Sequence, residues 1–381
     1  NGKGYACFFA LRMQAFRKKG RDFSLKPAEM LIHALDLAAD AAVVVHNPSN
    51  MFYLSAGYTG EGVVYISRKT QAIITDFRYT EQAEQQAPTF RCVMTEKGMS
   101  HDQWVAKLAQ EDGVSVFYYE DDYLTVKAFQ ALRDAIGDGA TWLPLAQKPE
   151  KLREIKSEDE IRCIREACRI TSEAFLKVLP EIHEGMTEKE LAIRFDYLQL
   201  ELGAQGNSFS TICASGENGS LPHAIPGNRK FRKGDMITLD VGCKVGGYCS
   251  DMTRTVALGE PCAEMRKVYN TVLEAQRLGR EALAPGKSCY EIDKLVRDYI
   301  DSQGYVGRFG HGLGHGVGID IHENPRLSMT CHDTVQVGHI LTVEPGIYLP
   351  GVGGVRIEDT CLVTPEGNEP LTPATKELII L

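Results

Sequence analysis

No segment of this chain approaches the run of roughly 18 apolar residues that a bilayer-crossing helix requires, so no membrane partner is expected. A basic excess is also missing. Lys and Arg total 42 against 51 Asp and Glu, for a formal net charge of −9. A nucleic-acid binder normally carries a basic face, and none is expected here. There is no cysteine framework either. The 11 cysteines are odd in number and spread over both halves without a paired spacing. They read as reduced thiols, which places the protein in the cytoplasm. Nor does the start have secretory polarity, because in "YACFFALRMQAFRKKGR" the basic residues follow the apolar stretch. That stretch reads as appended sequence or as an amphipathic start. Finally, no glycine-rich loop joins a strand to a helix in the first 145 or so residues, which argues against a nucleotide site there.

What is present is an ordinary globular composition, 43% hydrophobic and 24% charged, in 381 residues. That length suffices for two domains, each with a core. The first part alternates helix and strand. "PAEMLIHALDLAAD" (27–40) has helical spacing, and "AAVVVH" (41–46) is a β-branched run suited to a buried strand. "GVVYIS" (62–67) and "QAIITD" (71–76) are extended around the polar turn "RKT". Helical and extended stretches then alternate: 79–87, 91–94, 101–110, 114–119 and 124–136. Such alternation predicts an α/β layer with a mostly parallel or mixed sheet. A polar boundary with two prolines falls near 146–156, dividing the chain into 1–148 and 149–381. Two helices follow, 158–179 and 188–203, each opened by a capping-box pair, Ser157 with Glu160 and Thr187 with Glu190. Cys163 and Cys168, five apart on the first helix, read as partly buried thiols and not as a metal pair.

After residue 205 the acids stop looking like a solvated surface. "MITLDVGCKVGGYCSDMTRTVAL" (236–258) reads as a hairpin folding about Val245–Gly246, which places Asp240 opposite Asp251. Asp240 stands inside an apolar run, where a lone carboxylate is costly. "ILTVEPGIYLPGVGGVRIEDTCLV" (340–363) repeats the arrangement about Gly351, which sets Glu344 opposite Glu358. One facing pair is compatible with a proton-sharing dyad or with unrelated surface acids. Two such pairs point instead to a cage for about four positive charges, which two divalent metal ions supply. Oxygen-rich ligation with one or two imidazoles suits Mn, Co, Fe or Zn, with manganese first. The imidazole comes from "GHGLGHGVG" (310–318), whose five glycines rule against a helix. In extended backbone His311 and His315 share a face, and the bare positions admit neighbouring backbone. His322 has the opposite parity and needs a turn or bulge to join them.

The set Asp240, Asp251, His315, Glu344 and Glu358, with "GHGLGHGVGIDIHENP" and "VEPGIY…VRIED", resembles the pita-bread metallopeptidases, peptidase family M24. The likeness is strong from about 155 to 381. In the first part, "NPSNMFYLSAGYTGEG" and "ITDFRYTEQA" resemble the N-terminal domain shared by aminopeptidase P, prolidase and creatinase. The resemblance implies a creatinase-like α/β domain followed by an α+β pita-bread domain with an antiparallel sheet and an internal pseudo-twofold repeat. It implies hydrolysis of Xaa-Pro bonds, at peptide N-termini or in dipeptides, by a hydroxide held between two metal ions. Asp240 would chelate one metal, His315 and Glu344 the second, and Asp251 and Glu358 would bridge. Glu344 would also carry the proton. His223 and His322 would act at the scissile bond, and His311 and Arg356 would line the proline-side pocket. Proline-containing peptides and a second copy of the chain are the implied partners. A family member that has lost catalysis and serves as a binding module is the alternative. His33, His46, His101, His183, His332 and His339 remain structural or surface residues.

Overall fold

The computed structural model describes residues 25–381, so the N-terminal stretch singled out above lies outside the described residues. The chain divides into two compact units between Leu152 and Arg153. In the first unit six strands form one sheet: β1 (Ala41–Val45), β2 (Val63–Ser67), β3 (Gln71–Thr75), β4 (Arg91–Met94), β5 (Val116–Tyr119) and β6 (Thr141–Pro144). Their order is β4-β3-β2-β1-β5-β6. The hairpins β1–β2 and β2–β3 are antiparallel, while β3–β4, β1–β5 and β5–β6 are parallel. The sheet is therefore mixed. Val44, Tyr65, Ile74 and Phe117 on its face pack with Trp104, Val105 and Leu108 of the helix His101–Asp112 and with Leu132.

Three elements of this unit differ from the sequence expectation. The helix expected over 27–40 ends at Ala34, because Asp36 takes a left-handed backbone (φ 42°) that turns the chain so that Leu37 is buried. A helix at Pro48–Ser55 is added; Asn47 caps it through Oδ1, and Ala56 closes it in αL. The polar stretch 146–156 is not all linker, since it holds the helix Lys148–Arg153.

The second unit repeats one plan: two helices, then antiparallel strands. The helices Glu158–Val178 and Glu188–Glu201 both open with the expected capping boxes. A cap of this kind is worth about 1 kcal/mol. They pack Phe175 and Phe195 against Leu239, Val241 and Met252 of the strands that follow. Those strands are β7 (Gly206–Asn207), β8 (Ile212–Ser215), β9 (Met236–Val241), β10 (Cys243–Val245), β11 (Tyr248–Cys249) and β12 (Met252–Ala257). The second half opens with helices Ala263–Ala282 and Cys289–Ser302, in a stretch for which the sequence reading named no element. β13 (Gly314–Gly316), β14 (Glu323–Leu327), β15 (Ile340–Val343), β16 (Gly346–Leu349), β17 (Gly353–Arg356), β18 (Asp359–Thr364) and β19 (Gly367–Pro370) complete it. The sheets are β12-β9-β8, β11-β10-β7, β14-β13-β15-β18-β19 and β16-β17, all antiparallel. The cysteines from Cys92 to Cys361 are free thiols. Among the described residues no helix is long and apolar enough to cross a membrane.

Candidate metal centre

Hairpin register decides which acids meet. In the second hairpin Val343 pairs with Asp359 and Gly346 with Arg356, so Glu344 lies opposite Glu358, as the midpoint at Gly351 predicts. In the first hairpin the register is two residues away from expectation. Lys244 pairs with Cys249 and Asp240 with Thr253, so Asp251 is a diagonal neighbour of Asp240 and not its direct partner. The cause is the turn: Gly246 and Gly247 both have positive φ (57° and 82°), so they form the two-residue bend and move its centre past Val245–Gly246. Side-chain parity is unchanged by a two-residue shift, so both aspartates still face the same side.

His315 is buried on β13 and completes the cluster. Ligand atoms of Asp251, His315 and Glu358 all lie within 4.8 Å of one another, the one such group among the described residues. His315 Nε2 is 3.2 Å from Glu344 Oε1 and 3.5 Å from Asp251 Oδ2. Its Nδ1 lies 3.0 Å from the Gly316 carbonyl, which can only accept, so Nδ1 carries a proton and Nε2 is the ring nitrogen turned to the acids. Thr342 Oγ1 accepts the His315 amide at 3.0 Å and donates to Glu344 Oε1 at 3.2 Å.

The glycines around His315 are bare for the expected reason. A Cβ on Gly314 would run into the Thr342 carbonyl, one on Gly316 would meet the Asn324 carbonyl at 2.5 Å, and one on Gly312 the Leu327 carbonyl at 3.0 Å. Gly318 lies against the Glu323 carboxylate, whereas nothing approaches Gly310. The extended backbone is shorter than expected, because only Gly314–Gly316 is strand. A register shift between His315 and Gly316 brings in His322, whose ring meets that of His315 edge-on with centroids 4.4 Å apart.

Arg356 reaches the acids directly. Its Nη2 pairs with Asp240 Oδ2 at 2.6 Å, Nη1 donates to the Tyr348 hydroxyl at 2.9 Å and Nε to Thr253 Oγ1 at 3.1 Å. Thr253 donates to Glu358 Oε2 at 2.7 Å. Tyr348 accepts from Arg356, so it donates to His311 Nε2, 2.8 Å away, and His311 Nδ1–H goes to the Gly312 carbonyl at 2.9 Å. His311 thus joins the cluster through Tyr348. His223 is exposed, on the loop whose Pro222 carbonyl lies 3.4 Å from Arg356 Nη1. Thr253 and Tyr348 escaped the sequence reading. The double-glycine turn would have shown Thr253 opposite Asp240. Tyr348 sits diagonally across from Arg356 in a register that the midpoint already gave.

The electrostatics describe a cage short of positive charge. Burial raises the Asp240, Asp251 and Glu358 carboxyls, and the neighbouring acids raise them further. Burial also pushes Glu344 upward, but His315, His311 and Arg356 bring it down to about 2. Burial, with His315 and Arg326, lowers His322 to about 4. Asp240 Oδ1 and Glu358 Oε1 are buried with no hydrogen-bond partner. An unsatisfied buried carboxylate oxygen is expensive unless a cation meets it. These oxygens, beside the converging ligand atoms of Asp251, His315 and Glu358, fit divalent metal ions with O/N ligation.

Fold and site together define a metallopeptidase. The model of metallopeptidase family M24 matches residues 162–365, and that of the creatinase/prolidase N-terminal domain matches residues 29–155. The chain belongs to family M24. It is 40% identical over 346 residues to the uncharacterized peptidase YqhT of Bacillus subtilis, covering 91% of this chain and 97% of that protein. A solved Xaa-Pro dipeptidase from Bacillus anthracis superposes with TM-score 0.89 at 41% identity, over 93% of this chain and 99% of that one. An X-Pro aminopeptidase from Thermotoga maritima superposes with TM-score 0.85 at 32% identity, over 92% and 100%.

Proposed function

We propose that this chain is a Xaa-Pro exopeptidase that works with two divalent metal ions. The observation that carries the reading is the buried group of Asp251, His315 and Glu358, with Glu344 3.2 Å from His315 and with buried oxygens of Asp240 and Glu358 left without donors. Asp240 would hold one ion, His315 and Glu344 the other, and Asp251 and Glu358 would be shared. When bound, such ions supply the Lewis acidity that polarises a scissile carbonyl and brings the pKa of a water toward neutrality.

The chain's own groups have distinct tasks in this reading. Glu344 takes a proton and passes it to the leaving nitrogen, with Thr342 fixing its Oε1. His223 and His322 donate to the reacting amide. His311, Tyr348 and Arg356 form the wall on the proline side. A peptide bond before proline has no N–H, so an enzyme that relies on carbonyl polarisation can cleave a bond that N–H recognition would miss. The similarity to proteins named Xaa-Pro dipeptidase and X-Pro aminopeptidase supports this substrate class. Manganese is the proposed metal, from the oxygen-rich donor set. A cytoplasmic setting agrees with the free thiols. A homodimer follows the family resemblance.

The test is to strip the protein with chelator, restore Mn or Co, and assay a Xaa-Pro dipeptide, a Xaa-Pro-Xaa tripeptide and a Xaa-Ala control. Cleavage of Xaa-Pro bonds only after metal is restored is expected. Hydrolysis of the dipeptide alone makes the enzyme a prolidase, and hydrolysis of the tripeptide an aminopeptidase P. No cleavage with any metal ends the peptidase reading in favour of a binding module.

A further inference from the structure

The segment Phe309–Leu313 carries His311 but belongs to no strand, so its backbone groups need partners from elsewhere. The helix Cys289–Ser302 supplies them. Asp293 is fully buried on that helix. Its Oδ1 accepts the Leu313 amide at 2.8 Å and Arg297 Nη2 at 3.1 Å, and its Oδ2 accepts Arg297 Nε at 3.0 Å. Arg297 then donates from Nη1 to the Phe309 carbonyl at 2.6 Å and from Nη2 to the His311 carbonyl at 2.7 Å. The guanidinium also lies 4.5 Å over the Phe309 ring, and that ring meets the His311 imidazole edge-on at 5.0 Å. An i,i+4 ion pair on an exposed helix face contributes little. Here the carboxylate is out of solvent, and both partners turn their other hydrogen-bonding positions onto a different segment. The planar guanidinium fork is what allows one side chain to hold Asp293 and two carbonyls together.

We infer that Asp293 and Arg297 are positioning residues for His311. They hold its backbone so that Nε2 meets the Tyr348 hydroxyl and, through it, Arg356 and Asp240. The inference rests on the proposed function for the assignment of His311 to the proline side. It adds the helix turn 293–297, away from the acids, as the part that sets the position of that wall. Among the described residues Arg297 hydrogen-bonds only Asp293 and the Phe309 and His311 carbonyls, so metal content should not depend on it. Asp293 is one step nearer the acids, because Leu313, whose amide it holds, accepts the Glu344 amide at 2.8 Å.

The test uses the full-length protein and the variants Arg297→Ala, Arg297→Lys, Asp293→Asn and His311→Ala. Arg297→Ala should raise KM for a Xaa-Pro substrate roughly tenfold, with kcat changed by less than about threefold and metal content as in the unmodified protein. Arg297→Lys, which keeps the charge without the fork, should fall between the two, and it carries the test if Arg297→Ala fails to fold. In the double variant with His311→Ala, removing Arg297 should raise KM no further; additive effects on KM would overturn the inference. Lower thermal stability with an unchanged KM would reduce the pair to a structural role and overturn it too. A second readout needs no substrate. The His311 imidazole proton resonance, assigned by its loss in His311→Ala, should shift or broaden in metal-free Arg297→Ala, Arg297→Lys and Asp293→Asn. An unchanged resonance refutes positioning even if Xaa-Pro peptides prove not to be substrates, whereas a shifted resonance in an inactive protein would leave positioning intact and reject only the substrate class.

Discussion

At the residue scale, the alternating glycines separate into those that have a reason to be glycine and one that does not. Gly314 sits in β13 with the Thr342 carbonyl where its Cβ would be, while nothing lies within 4 Å of a Cβ on Gly310. Neither has a positive φ, so space alone distinguishes them. Gly314→Ala must push β13 away from β15 and should destabilise the protein by about 1–3 kcal/mol, the range for overpacking. It should also lower metal affinity by moving His315. Gly310→Ala should stay within about 0.5 kcal/mol of the unmodified protein. Urea unfolding of the two variants checks this, and equal effects would mean that backbone freedom, not close approach, explains the pattern. The same contrast shows what the sequence made legible. The alternation announced a bare face, and the parity of His311 with His315 was readable. Which glycine faces which carbonyl was not, because the opposing atoms come from β15, distant in sequence, and from Asn324 across the register shift between His315 and Gly316. Thr253 and Tyr348 were hidden for a related reason: a hydroxyl gives no charge signature, and only the pairing register places it.

At the scale of elements, register was legible wherever the turn was identified. The midpoint of the second hairpin was correct because its two arms are equally long about Gly351, with no bulge between Glu344 and Glu358. The first was displaced because either of two adjacent bends suits "VGG", and the backbone selects the one with both central residues at positive φ. The helix Ala263–Ala282 carries its own signal, a 3.6-residue period that places Val268, Val272, Ala275 and Gly279 on one buried face. A further interaction between elements was invisible for lack of local signal. Glu323, at the start of β14, has a side chain only 7% exposed. It pairs with Arg153 Nη2 at 2.5 Å and Lys156 Nζ at 3.0 Å, and it accepts the amides of Ile319 and Asp320. Burial pushes its carboxyl up, but Lys156 and Arg153 outweigh that and hold it below the ordinary value of 4.5. A carboxyl lowered in the folded state contributes stability that is present above the unfolded value and lost as pH falls through the folded one. Glu323→Gln removes the carboxylate that Lys156 and Arg153 share. Arg153 keeps Asp320 at 2.6 Å, so the cost at pH 7 should be about 3 kcal/mol, the low end for breaking a buried pair. The gap should narrow steadily below pH 4.5 as the unmodified protein loses the same interaction. Urea titrations at pH 7 and pH 4 measure it; a gap independent of pH would assign the effect to packing.

At the scale of the molecule, the two units have separate cores, one around Val44, Phe117 and Leu132, the others around Phe175 and Phe195 and around Val272 and Leu341. All five proposed ligands belong to the second unit, Arg153–Leu381. A ligand that binds only the folded state stabilises it by RT ln(1 + [L]/Kd), about 2.7 kcal/mol at a hundredfold excess over Kd. For a unit of this size each kcal/mol moves the midpoint by roughly 2–4 °C. Adding Mn or Co to chelator-stripped protein should therefore raise one calorimetric transition by roughly 5–10 °C. The other transition, that of the first unit, should move by less than about 1 °C, because no proposed ligand lies in it. In Asp251→Asn most of that shift should vanish together with most of the bound metal, since a neutral amide replaces a carboxylate whose atoms lie within 4.8 Å of those of His315 and Glu358. The same substitution also removes a buried carboxyl that burial and the neighbouring Glu358, Asp240 and Glu344 push upward. Metal-free Asp251→Asn should then be no less stable than the metal-free parent, and the loss should appear only when metal is added. Full retention of the metal-dependent shift in Asp251→Asn would remove that residue from the ligand set, and a shift shared equally by both transitions would show that the units do not unfold separately.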